Sequence, residues 1–462
     1  MIQKEKSFFS ILWIITIVIM VVLLLSHTYN DIAITTRQGI NFWSILKNGD
    51  FFRFYQVNYL VSGNEFYDAP QGCAYNILVY LAFAIWNIPL AILMAFTDID
   101  VMNNVFCLAY SKLLLVAAML LCAYILRRIM NILGVPSQKW NVLGYLFLSS
   151  ALMISVVFII SQYDVLGLIF QLLGLYAFLT NRKRQFVLWF GIAFCFKYFS
   201  LVIFLPLLLL MEKKIYPCLK SLVGMFLPVL ITKLPFVLVS GDAAGALAGE
   251  GMTVQFLQNV LAYTTNYMNL FIVLYILILV WCYLRNYDSN EKQLHFDAVW
   301  VCFASYAAFF GLCNAYPYWS ILLAPFAVLA IAISPERFYL NLLLETFGYA
   351  ALVFTNMLRY TWCYFGNTMK SMIMPRIFTG ASYENSLIYL IVTKLSANYL
   401  VVSVFNSVFI AAMAALAFTT FPRRSTVSLE KWNAQSGYND ALVFRAVIVS
   451  VLCLMPVLSL FI

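Results

Sequence analysis

Three ionisable residues border or interrupt long apolar runs in this sequence, namely Asp31, Asp164 and Lys197. A carboxylate at a membrane surface can take a proton from an attacking hydroxyl group. A nearby cation can bind a departing phosphate and offset its charge. The two aspartates are equally consistent with capped helix ends at the water boundary, and the alternative for Lys197 is snorkelling to the surface. His27 lies four residues before Asp31 and would share its face if the helix continues.

Any phosphate bound here would belong to a lipid, because these residues border segments that can lie in a membrane. The sequence contains neither the glycine-rich Walker pattern nor the Rossmann fingerprint, so nothing supports the use of ATP or a nucleotide sugar. The ten cysteines occur without paired spacing, mostly inside apolar runs. That distribution predicts buried thiols and indicates neither a disulfide framework nor a zinc site.

The composition predicts the class of protein that must position these residues. Of 462 residues, 64% are hydrophobic and 10% are charged, whereas a soluble domain carries about 25% charged residues. We therefore expect an all-α polytopic membrane protein, with residues 1–462 forming a single transmembrane domain and no soluble domain. The net charge of +9 is interpreted as topology information, and no nucleic-acid partner is expected.

The basic clusters at the ends of apolar runs predict about 11–13 transmembrane helices with a cytoplasmic N-terminus. Residues 26–104 would then form a first external region. Within it, Ile32–Lys47 has apolar residues at near-helical spacing and predicts an amphipathic helix on the surface. Ala74–Phe96, which contains Pro89, is expected to dip into the outer leaflet and return, or to lie along it. Further external loops are predicted at 240–266 and 358–397.

The run Phe186–Met211 is too short for two crossings, which need about 40 residues. Basic clusters flank it on both sides, at Arg182-Lys183-Arg184 and at Lys213-Lys214. One crossing would place one of these clusters outside, against the usual charge bias. We therefore predict two short helices that turn near residues 195–199, with Lys197 at the tip. The buried ammonium group should then lie close to Asp31 or Asp164.

The arrangement resembles the GT-C superfamily of membrane glycosyltransferases, which use polyprenyl-phosphate-linked sugars. An acidic residue just after the first span, followed by surface helices, is similar to that superfamily's first external loop, and Asp31 has the matching position. Ser161-Gln162-Tyr163-Asp164 resembles the small-Gln-x-Asp element of its bacterial mannosyltransferase-like branch, related to the catalytic subunit of GPI mannosyltransferase I. The stretch from Gly191 through Lys197 to Pro206 resembles a further element of that branch. Asn314-Ala315-Tyr316-Pro317-Tyr318-Trp319 resembles its Pro-Tyr-Trp element.

The resemblance implies an enzyme, a hexosyltransferase that moves a sugar such as mannose from a polyprenyl phosphate to a glycan or lipid-linked acceptor with inversion. It implies that Asp31 is the general base, that Lys197 binds the donor phosphate, and that Asp164 orients a hydroxyl group. The remaining implied substrate contacts are Gln162, His27, Tyr316, Tyr318 and Trp319. Each aromatic residue alone is equally typical of an interfacial belt. Many relatives carry two acidic residues where this chain has Asn30-Asp31. We therefore expect no cofactor, and a divalent metal is disfavoured.

Two other functions stay open on the sequence alone. A polysaccharide polymerase would also use lipid-linked sugars, and it would depend on external arginines such as Arg359 and Arg376. A transporter or flippase would favour inverted repeats and charges along a central path, and no repeat is visible. The short loops and the absence of luminal domains indicate a bacterial plasma membrane.

Overall fold

The protein is described by a computed structural model that is almost entirely helical. It describes residues 2–27, 29–56, 75–99, 101, 104–240, 264–265, 268–287, 290–365, 384, 386–423, 432 and 437–459. Most of the predicted external loop 240–266, together with Arg376 in the late loop, therefore lies outside the described residues.

The first half of the chain, which includes Asp31, Asp164 and Lys197, forms the following described helices. They are α1 (Ile2–Ser26), α2 (Asn30–Lys47), α3 (Ile77–Trp86), α4 (Ile88–Phe96), α5 (Val105–Ile132), α6 (Trp140–Leu148), α7 (Ala151–Ile154), α8 (Asp164–Leu179), α9 (Lys183–Phe196), α10 (Leu201–Met211) and α11 (Ile215–Ser240). Short 3₁₀ turns occupy Phe51–Arg53, Ser137–Lys139 and Tyr198–Ser200, and a π-helical turn occupies Ser155–Ile160.

The second half continues with longer helices. They are α12 (Leu270–Leu284), α13 (Glu291–Leu312), α14 (Ala324–Ala332), α15 (Phe338–Arg359), α16 (Thr361–Tyr364), α17 (Leu387–Ser396), α18 (Tyr399–Thr419) and α19 (Asn439–Leu458). Two-residue strands, β1 (Thr264–Thr265) and β2 (Met268–Asn269), pair antiparallel before α12. Further 3₁₀ turns occupy Pro317–Leu323 and Pro335–Arg337.

Seven of the described helices are long and apolar enough to cross a membrane, and nine segments are if each of two bent pairs counts as one crossing. The predicted number of 11–13 is larger because it includes shorter apolar helices such as α8, α12 and the 317–332 segment. Large apolar side chains of α1 and α11 are exposed along their length, as expected for helices in contact with lipid. The chain is an all-α, multi-pass membrane protein.

Two predicted apolar runs are bent. α3 and α4 meet at Asn87 with an angle of 63°, because Pro89 follows the break and has no N–H group to continue the first helix. The bend excludes a straight crossing at 74–96, and the proposed dip into the outer leaflet stays a prediction. The run predicted at 142–160 is likewise divided, with a bend of 48°. This second break was not predicted.

The predicted hairpin is present. α9 ends at Phe196, Lys197 is extended, and α10 begins at Leu201. Lys183 at the start of α9 forms an ion pair with Glu212 directly after α10, so both ends of the hairpin return to one place. Each arm is about 16–21 Å long at 1.5 Å per residue, which is short of a hydrocarbon core of about 30 Å. The turn at Lys197 is therefore the deepest part of this hairpin.

Close helix contacts fix the elements around that turn. At Gly167 of α8, a Cβ atom would lie 3.0 Å from Cβ of Phe196, so glycine allows α9 to pack directly against α8. At Gly39 of α2, a Cβ atom would lie 2.8 Å from Cβ of Phe83 on α3. The helix predicted as a surface helix is thus packed tightly onto α3.

A fully buried ion pair joins α15 to α19. Arg445 pairs with Glu345 and also donates to the carbonyl oxygen of Leu146 (2.7 Å) and to Ser149 Oγ (3.2 Å). A buried charge is tolerated when it is paired and fully hydrogen-bonded. This network ties the C-terminal helix to the middle of the chain, and the sequence reasoning did not single it out.

Candidate functional site

Lys197 lies against the carboxylate of Asp164. The distance from Lys197 Nζ to Asp164 Oδ1 is 3.0 Å, the aspartate side chain is fully buried, and the lysine side chain is 13% exposed. Lys197 Nζ also donates to Tyr163 Oη at 3.3 Å. The ion pair forms because the hairpin turn carries Lys197 to the first residue of α8. Proximity of Lys197 to one of the two aspartates is thus confirmed, whereas the phosphate-binding role stays a prediction.

Asp31 lies beside the same loop. Gln162 Nε2 and Tyr75 Oη, the latter at 3.2 Å, both donate to Asp31 Oδ2. Asp31 is the second residue of α2, and Gln162 and Asp164 come from the segment between α7 and α8. Residues 133 positions apart in the chain are therefore brought to one place.

The environment of Asp31 favours its neutral form more than water does. Burial raises the pKa of Asp31 above its ordinary value, and the hydrogen bonds from Gln162 and Tyr75, with the charge on Lys197, offset part of that rise. A carboxylate with a raised pKa is a stronger base than a free aspartate once it is ionised.

Aromatic rings form a wall around Lys197. Its Nζ lies 4.8 Å from the ring centre of Tyr163, 5.5 Å from that of Tyr318 and 5.6 Å from that of Trp319. Tyr316 stacks on Tyr318 with ring centres 5.7 Å apart. The motif at 314–319 and the motif at 161–164 therefore meet at the hairpin turn.

The backbone before the site has an unusual path. The π-helical turn Ser155–Ile160 widens the helix, and Ser161 then adopts a left-handed conformation with φ of 58°. Both features are uncommon for ordinary residues and occur often at functional sites. Together they end the buried helix early, so that Gln162 points toward Asp31 while Asp164 starts α8.

The condition under which His27 would share a helix face with Asp31 is not met. α1 ends at Ser26 and a new helix begins at Asn30, so the helix that would have placed His27 on the face of Asp31 does not continue. The His27 ring is fully buried, with Nδ1 3.0 Å from Ser26 Oγ.

Lys112 of α5 is a functional candidate that the sequence reasoning missed. It is fully buried, and its Nζ donates to the carbonyl oxygens of Leu23, Leu24, His27 and Phe158 at 2.5–3.2 Å. Three of these carbonyls lie at the end of α1, shortly before Asp31, and the fourth lies shortly before Gln162. The signal was a single lysine inside an otherwise apolar run.

Replacing Lys112 with methionine is expected to destabilise the protein by on the order of 3 kcal/mol, because several buried carbonyl groups would lose a charged donor. The measurement is thermal unfolding in detergent. Lys220→Met, at an exposed lysine of α11, is the matched control and should leave the transition unchanged. An unchanged transition in the Lys112 variant would contradict the role of this ammonium group.

A metal site finds no support in the described geometry. Within the described ranges, no three His, Cys, Asp or Glu side chains are grouped so that they could hold an ion. The expected independence from cofactors stays a prediction.

The fold and the site define an integral membrane protein with a buried, charged and aromatic cluster at one end of its helices. Comparisons with protein-family models, with curated proteins and with solved structures found no match to this chain.

Proposed function

We propose that this protein is a membrane glycosyltransferase that moves a hexose from a polyprenyl-phosphate donor to a glycan or lipid-linked acceptor. The observation that carries the proposal is the convergence of Asp31, Asp164 and Lys197 on one aromatic cluster. Three separate parts of the sequence supply these charges, namely the start of α2, the start of α8 and the turn between α9 and α10. An interfacial belt of aromatic residues would not require buried charges at its centre.

In the proposed reaction, an acceptor hydroxyl oxygen attacks the anomeric carbon of the sugar. The new glycosidic bond forms as the bond from that carbon to the phosphate oxygen breaks, with inversion at the carbon. Both described hydrogen bonds to Asp31 reach Oδ2, so Oδ1 is the oxygen that takes the hydroxyl proton. The polyprenyl phosphate leaves with the electron pair, and Lys197 offsets its charge.

Asp164 has a second role in this proposal. Its carboxylate keeps Lys197 charged and oriented before the donor binds, since an isolated ammonium group at this depth would be costly. When the phosphate enters, one Asp164 oxygen becomes available to accept a hydrogen bond from a sugar hydroxyl group. Tyr316, Tyr318 and Trp319 would pack against the sugar ring, and Gln162 would hold Asp31 in place.

The proposal is tested by sugar transfer with the purified protein in detergent or nanodiscs. We expect release of polyprenyl phosphate from a synthetic polyprenyl-phosphate mannose, together with a mannosylated acceptor. Transport of the intact donor across a vesicle membrane without cleavage would instead support the flippase alternative. Processive chain growth from a single acceptor would support a polymerase. The proposed setting of the reaction is the outer face of a bacterial plasma membrane, with a cytoplasmic N-terminus.

A further inference from the structure

A polar pocket lies between α13, α15 and α18. Its polar lining consists of Asn314, Ser320, Thr355, Asn356, Arg359 and Asn406, and the described lining residues include no carboxylate. Tyr316 also lines it and stacks on Tyr318, which borders Lys197. The pocket is therefore a direct neighbour of the aromatic cluster.

The charged group in the pocket is the guanidinium group of Arg359, which has several N–H donors. Arg359 is exposed and donates from Nη2 to Asn314 Oδ1 at 2.6 Å, which uses one of its five N–H groups. Tyr360 Oη donates to the same Asn314 oxygen at 3.3 Å. None of the ion pairs among the described residues includes Arg359. Within the described part of the chain, the side chain is thus held in place by neutral groups and its charge has no carboxylate partner.

A buried hydroxyl group adds an independent indication of a ligand. Thr355 is 1% exposed, lines the pocket, and its Oγ1 has no hydrogen-bond partner within the described part of the chain. A buried unsatisfied hydroxyl costs about 1–3 kcal/mol, so native proteins usually supply a partner. A cation, hydroxyl and amide groups without a carboxylate fit a ligand that combines an oxyanion with hydroxyl groups.

We propose that this pocket binds a phosphate-bearing sugar of the acceptor, with Arg359 on the phosphate and Thr355 and Asn406 on hydroxyl groups. The inference rests on the proposed function, because it assigns the pocket to the second substrate of that reaction. A guanidinium group binds phosphate well because two of its N–H groups can donate to two phosphate oxygens at once. Tyr316 would then be shared by the two substrates.

The test measures phosphate binding to the full-length protein by ³¹P NMR line broadening in dodecyl maltoside, which contains no phosphorus. An Asp164→Asn/Lys197→Met background removes the neighbouring ion pair, so residual binding of inorganic phosphate reports on the pocket. Adding Arg359→Gln should weaken this binding about ten- to hundredfold, the usual range for a charged hydrogen bond. Adding Thr355→Val should weaken binding of glucose 6-phosphate several-fold. Lys394→Gln, at an exposed lysine of α17, is the charge-matched control and should change neither.

Competition separates the two sources of phosphate. Glucose 6-phosphate should displace inorganic phosphate more effectively than geranyl phosphate, because the lining is polar. The reverse order would overturn the sugar-phosphate assignment, as would phosphate binding that is unaffected by Arg359→Gln. Absence of sugar transfer in the wild-type protein, with phosphate binding at Arg359 intact, would contradict the proposed function and leave the ligand class of the pocket standing.

Discussion

Replacing Asp31 with asparagine is expected to reduce the rate of sugar transfer by about 100- to 10,000-fold, the usual cost of losing a general base. The amide cannot take a proton from the acceptor hydroxyl group, but it can still accept the hydrogen bonds from Gln162 and Tyr75. Folding and donor affinity should therefore stay close to those of the wild type. The measurement is single-turnover transfer with saturating donor. Asp50→Asn, at an exposed carboxylate just after α2, should transfer at the wild-type rate.

The pH dependence separates a base from a merely structural carboxylate. Transfer requires ionised Asp31, so kcat/KM should fall as pH is lowered through the pKa of Asp31. Because burial raises this pKa, the fall should begin at a higher pH than for an ordinary aspartate. Tyr75→Phe removes a hydrogen bond that lowers the pKa, so it should move the acidic limb further upward. If the fall in kcat/KM at low pH occurs at the same pH in Tyr75→Phe as in the wild type, a group other than Asp31 is titrating.

Replacing Lys197 with methionine is expected to weaken donor binding by about ten- to hundredfold and to lower the turnover number as well. The ammonium group contacts phosphate in the ground state, and it also offsets the charge that grows as the phosphate leaves. Lys197→Arg should not restore activity, since the planar guanidinium differs in shape from a compact ammonium group. Equilibrium binding of a polyprenyl-phosphate sugar and the turnover number are the two quantities to compare.

Loss of Lys197 also leaves Asp164 buried without its cation, which by itself destabilises a protein by about 3–5 kcal/mol. The double variant Asp164→Asn/Lys197→Met removes both charges and should recover much of the thermal stability. It should not recover donor binding. Lys183→Met, which breaks an ion pair at the opposite end of the same hairpin, should leave donor binding unchanged. If the double variant binds donor as the wild type does, Lys197 serves the fold alone.

The features that the sequence predicted correctly follow from local patterns with few alternatives. The basic clusters on both sides of 186–211 argue against a single membrane crossing, and the run is too short for two. A hairpin with Lys197 at its turn was therefore the arrangement that fitted both observations. The spacing of apolar residues in Ile32–Lys47 predicted α2 to within two residues. The approach of Lys197 to a carboxylate followed from the cost of a buried charge.

Features that depend on packing between distant segments could not be predicted. Lys112 contacts four carbonyl oxygens from two segments. Every residue has a backbone carbonyl group, so the sequence does not indicate which of them a side chain will contact. Tyr75 lies at the start of the run Ala74–Phe96, where nothing in the sequence marks it as a partner of Asp31, so its hydrogen bond to Asp31 was not predicted. Whether the first helix continues as far as Asp31 was left open by the sequence, and its end at Ser26 separates His27 from the face of Asp31.

The pair formed by Glu345 and Arg445 has a consequence for how the chain enters the membrane. The two residues are 100 positions apart, a distance that a ribosome covers in about 5–20 s. During that interval Arg445, the partner of Glu345, has not yet been synthesised. Glu345 must therefore stay at the membrane interface or be inserted in its protonated form. Arrival of α19 supplies the missing charge. The last helix thus completes the buried ion pair of the newly made bundle. A chain that ends before α19 would keep Glu345 buried without its cation, and quality-control proteases can distinguish such a chain from the finished protein.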